Sequence, residues 1–232
     1  MKYLLWLLAA AAVSSCGRSV HGSGRVISET RNTENFIAVD ASGSVKVELR
    51  IGDKNSVVVE ADDNVIRYVE TKVSGNSLNI KLKELTSLTN VTIHVYVTAP
   101  RFQEINASAS AEITSKDVLT TDNIELKANS SGSITAELDA PKVLLFAESS
   151  GEVNVRGRTR NLAASASSSG EIKADHLLAE NVKAEAESSG DISVFASISV
   201  NASASSSGSV SYTGGAPKVV KEENSSGSVS AD

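Results

Sequence analysis

Aromatic residues make up only 4% of this 232-residue chain, which also holds just 3 prolines, 1 methionine and 1 cysteine. The lone cysteine, Cys16, rules out an intramolecular disulfide. So few aromatics rule out an ordinary globular core, in which each ring buries roughly 150–250 Å². Positive charge is also short: 22 Lys and Arg stand against 28 Asp and Glu, a formal net charge of −6. That balance argues against a nucleic-acid partner and against electrostatic docking on an anionic membrane.

The N-terminus reads as a targeting segment. Lys2 precedes the apolar run Leu4 to Val13, which is too short to span a bilayer but suits a signal peptide. Residues 1–15 are therefore assigned to the leader. The run closes on Val13-Ser14-Ser15-Cys16, which resembles a bacterial lipobox and marks Cys16 for lipidation. Acyl chains would anchor the protein to a membrane, at about 0.8 kcal/mol per buried methylene. Gly17 and Arg18 carry no acidic sorting signal, which favours the periplasmic face of an outer membrane over the cell surface. Residues 16–33, rich in Ser, Gly, Arg and Thr, read as a flexible tether, and 34–232 as one domain.

What is abundant is Ser-Ser-Gly. The triplet ends at Gly132, Gly151, Gly170, Gly190, Gly208 and Gly227, at intervals of 18 to 20 residues. Two positions after it stand Ile134, Val153, Ile172, Ile192, Val210 and Val229. Four before it stand Ala128, Ala147, Ala166, Ala186 and Ala204; eight before it, Ile124, Val143, Leu162, Val182, Val200 and Val219. All these offsets are even, and the odd ones carry Ser, Asn, Glu and Asp. Such period-2 alternation at a fixed interval implies strands stacked rung upon rung, about 4.8 Å apart, around a narrow aliphatic column. The fold class is all-β, a parallel β-helix-like solenoid with rungs of about 19 residues. The Ala- and Glu-rich stretch from Leu177 to Glu187 has helical propensity but lacks a 3.6-residue period. Glycine at the corner supplies either a positive φ or a close backbone approach. The paired serines stack in tight turns, or form a glycosylation or ligand surface.

A degenerate version appears earlier, at Asp40-Ala41-Ser42-Gly43-Ser44-Val45 and around Ala111. Amphipathic strands follow at Val57–Glu60, Leu78–Leu82 and Val91–Thr98, with a turn at Ser74-Gly75-Asn76, and imply longer rungs continuous with the regular half. In the last rung Lys221 and Glu223 replace residues that elsewhere point inward, as charged caps against end-to-end growth.

Several segments together resemble the head GIN domain, also called the auto-transporter adhesin head domain. They are Asn35-Phe36-Ile37-Ala38-Val39-Asp40 with the following Gly43-Ser44-Val45, and Val73-Ser74-Gly75-Asn76-Ser77-Leu78. The strand Val91 to Val97 running into Ala99-Pro100-Arg101-Phe102, and the Ser-Ser-Gly rungs, complete the match from about Phe36 to Val229. The resemblance implies a right-handed solenoid and an adhesive role, in a family common among lipoproteins of Bacteroidetes-type bacteria. It carries over no catalytic residues.

Candidate chemistry is sparse. Asp62-Asp63 is an acidic pair that reads as a turn before Asn64. Glu152, Glu171 and Asp191 form an acidic column that would bind a cation weakly or remain a solvated face, with Lys173 near enough to neutralise part of it. His21, His94 and His176 lack ligand spacing, so no metal centre or cofactor is expected. Leu144 and Phe146 fall at outward offsets, under a covering loop or as a partner patch. The favoured reading is a non-catalytic envelope lipoprotein with an adhesin-like binding or scaffolding role, whose ligand is a glycan or an envelope protein. The alternatives are a carbohydrate-active enzyme on a β-helix and a structural spacer.

Overall fold

The computed structural model describes residues 18–83 and 86–232; the expected leader and the expected lipidation site, Cys16, lie outside the described residues. Apart from one 3-10 turn at Ile66–Tyr68, its regular elements are all strands. They stack into parallel coils of about 19 residues, a solenoid of about seven turns. Each coil contributes one segment to each of two walls. The first wall rises through Ala38–Ser42, Glu104–Ser108, Asn123–Asn129 and Lys142–Glu148. The second rises through Lys46–Ile51, Glu112–Thr120 and Ser133–Asp139. Three long strands, Glu152–Ser167, Glu171–Ala186 and Asp191–Ser205, then run through both walls.

Like residues lie over like. The register places Ile124, Val143, Leu162, Val182, Val200 and Val219 in one column. Ile134, Val153, Ile172, Ile192, Val210 and Val229 form another. Nearly all of these side chains are buried, together with the alanines beside the corner; Val219, on the terminal rung, is exposed. Each buried Val, Ile or Leu contributes about 1.5–3 kcal/mol. Val, Ile, Leu and Ala fill most of the interior, and few rings are buried: Phe36 and Phe102 in the N-terminal half and Tyr212 near the C-terminal end.

The corner divides its labour unlike the sequence expectation. The serines carry the left-handed backbone: φ is 47 to 51° at the first of each pair and 64 to 65° at the second. Each turn closes with the glycine N–H donating to the carbonyl three residues earlier, at 2.8–2.9 Å. The six corner glycines do not have positive φ. They are required because a Cβ there would lie closer than 3.0 Å to the carbonyl oxygen of the alanine in the coil beneath. The corners also bond to one another. The second serine's N–H donates to the first serine's carbonyl in the next coil, from Ser131 to Ser149 and on to Ser207 and Ser225, at 3.2–3.3 Å.

The N-terminal half is continuous with this stack but changes direction. Ser77–Leu82 lies parallel beneath Ala38–Ser42, and its hairpin partner Val69–Ser74 runs antiparallel. The two-residue turn at Gly75-Asn76 permits only an antiparallel pair, because parallel neighbours need a long crossover. In the second wall Ile93–Ala99 is followed outward by the antiparallel strands Ser56–Asp62 and Val26–Arg31.

Part of the expected tether is therefore structured. Arg18–His21 pairs with Thr86–Thr89, and Val26–Arg31 joins the second wall. The cause is the acidic turn. Gly24 N donates to Asp62 Oδ1 at 2.6 Å and Thr92 N to Asp62 Oδ2 at 2.8 Å. Ser23 Oγ donates to Asp63 Oδ1 at 2.6 Å, and Asn64 Nδ2 to the His21 carbonyl at 2.8 Å. A segment that looks unstructured by composition is held by the side chains of Asp62, Asp63 and Asn64, some forty residues away.

At the far end Lys221 and Glu223 reach the last strand. Lys221 Nζ donates to the Val229 carbonyl at 3.2 Å, and Val229 N donates to Glu223 Oε1 at 2.6 Å. Side chains thus take the place of a following coil. A Lys221→Leu, Glu223→Ala variant, restoring the pair found at Leu145 and Ala147, should expose a strand template. Light scattering should then show larger species than the unsubstituted protein at equal concentration.

Candidate functional site

The acidic column forms as the sequence reading expects: Glu152, Glu171 and Asp191 occupy successive coils in register on the second wall. Lys173 Nζ lies 3.0 Å from Glu152 Oε1 and 3.0 Å from Glu171 Oε1. The chain's own ammonium thus stands where a cation would bridge the carboxylates. Its hydrogen bonds, the one to Glu152 first, raise the lysine pKa. Among the described residues, no group of three or more His, Cys, Asp or Glu is placed to hold a metal ion.

Asp191, above this bridge, is pushed up by burial and then by the Glu171 charge. A carboxyl raised in the folded state favours folding when protonated, and that advantage is lost as pH rises through the folded value. Asp191→Asn should therefore melt slightly higher than the wild type at pH 7. The difference should vanish near about pH 3, below the ordinary aspartate value, in paired melting curves.

Other charges are also paired coil to coil. Arg156 Nε and Nη2 lie 3.0 and 2.8 Å from Glu137 Oε2, and Arg158 Nη2 lies 2.5 Å from Asp139 Oδ2. The Arg158 hydrogen bond holds the Asp139 carboxyl below its usual range. The histidines remain apart: His21 meets Thr89, His94 lies 6.4 Å from Tyr96 between ring centroids, and His176 contacts Asp175. Asp62 is buried and engaged by main-chain donors, which makes it a clasp holding the N-terminal segment.

A mixed charged and apolar surface lies at the edge opposite the serine corner. There the column Asp139, Arg158, Leu178, Phe195 passes from charged to apolar. A cleft of about 380 Å³ there is lined by Arg158, Arg160, Leu178 and Phe195, with the carboxylates Asp139 and Glu180 beside them. Leu178 is 56% exposed. Aligning on glycine misses this patch, because Leu178 and Phe195 stand at different offsets from their glycines. A register shift between Ala174 and Leu178 brings them side by side. Of the expected patch at Leu144 and Phe146, both residues are half-buried; the Lys127 ammonium lies over the Phe146 ring at 5.6 Å, and Leu144 lines a shallow 280 Å³ depression.

The architecture recurs in solved structures. A putative adhesin from Bacteroides fragilis superposes with a TM-score of 0.85 at 20% identity, covering 92% of this chain and 100% of that one. A putative lipid binding protein from Parabacteroides distasonis gives 0.75 at 23%, covering 93% and 100%. A putative adhesin from Parabacteroides merdae gives 0.73 at 18%, covering 93% and 99%. No curated protein matches the chain. The family profile described as "Putative auto-transporter adhesin, head GIN domain" matches residues 35–216. The chain belongs to the head GIN domain family.

Proposed function

We propose that the protein is a non-catalytic, lipid-anchored component of the cell envelope whose solenoid serves as an adhesin-like binding scaffold. The observation that carries this reading is the contrast between its two kinds of surface. Of the acidic candidates, Glu152 and Glu171 are bridged by Lys173 and Asp62 is held by main-chain donors, and the neighbouring carboxylates Glu137 and Asp139 are paired with Arg156 and Arg158. Half-buried Phe195 beside Arg158 and Arg160 supplies the aromatic and arginine groups enriched at recognition surfaces, and exposed Leu178 extends the apolar area next to them. The family membership and the solved putative adhesins support the same reading. The apolar run Leu4 to Val13 and the lipobox-like Val13-Ser14-Ser15-Cys16 support export and an anchor at Cys16.

The test is an array of glycans and envelope and matrix proteins, probed with wild-type protein and with Leu178→Asp. Binding by the wild type that falls about tenfold or more in the variant supports the reading. Absence of binding across the array leaves the spacer reading in its place. Turnover of a polysaccharide that is lost on Glu152→Gln or Glu171→Gln would establish the enzyme reading instead.

A further inference from the structure

A second surface, unconnected with the cleft at Leu178, lies at the N-terminal end of the first wall. There Val69–Ser74 is the outermost strand, and among the described residues its one ladder partner is Ser77–Leu82. Lys83 N donates to the Tyr68 carbonyl at 2.9 Å, which fixes the alternation of the hairpin's hydrogen bonds. Val69, Thr71 and Val73 consequently direct their main-chain N–H and C=O groups away from the hairpin, along an open edge.

A cavity of about 770 Å³ opens on that edge. Five cationic side chains line it against one carboxylate, in a chain whose net charge is −6. They come from separate elements: Arg31 from the end of Val26–Arg31, Arg67 from the 3-10 turn, Lys72 from the edge strand, and Lys81 and Lys83 from its partner side. The carboxylate is Glu70, 3.9 Å from Lys81. Arg31 is braced by Glu29 at 3.0 Å and the Ile66 carbonyl at 3.1 Å, while its buried Nε has no hydrogen-bond partner. Arg67 stacks on the Tyr68 ring, 5.0 Å from its centroid.

Lysine on an edge strand is a common guard against aggregation, which accounts for Lys72, while Lys81 on the partner strand is matched by Glu70. It does not account for Arg31 and Arg67, which two other elements bring to the same cavity. Converging like charges raise the free energy of the folded chain unless an anion sits among them. Guanidinium forks, mobile ammoniums and free strand N–H groups together match a phosphate with two negative charges. The volume exceeds that of a lone phosphate and falls in the range of small-molecule sites. We propose that this cavity is an anion-binding site for a phosphate-monoester group borne on a larger molecule, either soluble or a lipid headgroup. The overall negative charge does not oppose this, because it averages over a surface whose cations are gathered here.

The test uses the full chain with Cys16→Ser, so that no lipid is attached. Pyrophosphate binding is measured by calorimetry, and vesicle binding by co-sedimentation with phosphatidylcholine alone or containing phosphatidic acid. The double variant Lys72→Gln, Lys83→Gln is compared with Lys183→Gln, an exposed lysine on a distant coil. The double variant should bind about tenfold or more weakly, and Lys183→Gln should bind like wild type. Pyrophosphate binding with equal retention on both vesicles supports a soluble phosphate; extra retention on phosphatidic acid supports a lipid-borne one. No binding in either arm, or equal affinity in the double variant and wild type, overturns the site. Arg67→Gln gives the same readout should the double variant fail to fold.

Discussion

Gly151→Ala is expected to cost the domain about 3 kcal/mol or more and to lower its melting temperature by about 6–12 °C. The added methyl group would press on the carbonyl of Ala128 in the coil beneath, where main-chain atoms on both sides are fixed by ladder hydrogen bonds. Neither coil can yield without lengthening contacts above and below. The paired control is Ser149→Ala. The φ of 50° at Ser149 is matched by Ala109, which holds the same corner position with φ 49°. Removing that hydroxyl should therefore change stability by no more than about 0.5 kcal/mol. Thermal melting of both variants checks the assignment: glycine is needed for contact with the coil below, and the serines for size.

Asp62→Ala is expected to cost about 2–4 kcal/mol, because Gly24 N and Thr92 N would lose a shared charged acceptor in a buried setting. The loss should also be local. Amides of Val26–Arg31 should exchange with deuterium far faster than in wild type, while the coils above Asn123 keep their protection. Uniform loss of protection along the chain would show instead that the segment is an equal partner in the whole stack.

How much of this was readable from residues alone depends on range. The inward columns followed from even offsets about Gly132 to Gly227, since strand geometry makes period 2 obligatory and the rung length repeats. The charged cap followed from Lys221 and Glu223 standing where Leu145 and Ala147 stand in another coil. The positive φ of the serines was hidden, because glycine is the usual occupant of that region and its small size here answers a different need. The strand Val26–Arg31 was hidden for another reason. Its composition is that of a linker, and the groups that hold the preceding loop, Asp62 to Asn64, are remote in sequence. Among candidate site residues, the acidic column and its lysine were visible as a pattern. The cleft at Leu178 and Phe195 and the cavity at Arg31 and Arg67 were not, since a register shift creates the first and tertiary convergence the second.

The central claim is that the Ser-Ser-Gly corners form one hydrogen-bonded ladder that sets the register of the whole solenoid. Residue-resolved hydrogen exchange of the second corner serines tests it directly. Ser131, Ser150, Ser169, Ser189 and Ser207 each donate to the coil above, whereas Ser226 N, on the last described coil, has no such acceptor among the described residues. The five inner amides should be strongly protected and Ser226 should exchange at close to the free rate. Exchange of Ser150 or Ser169 as fast as Ser226 would contradict the ladder.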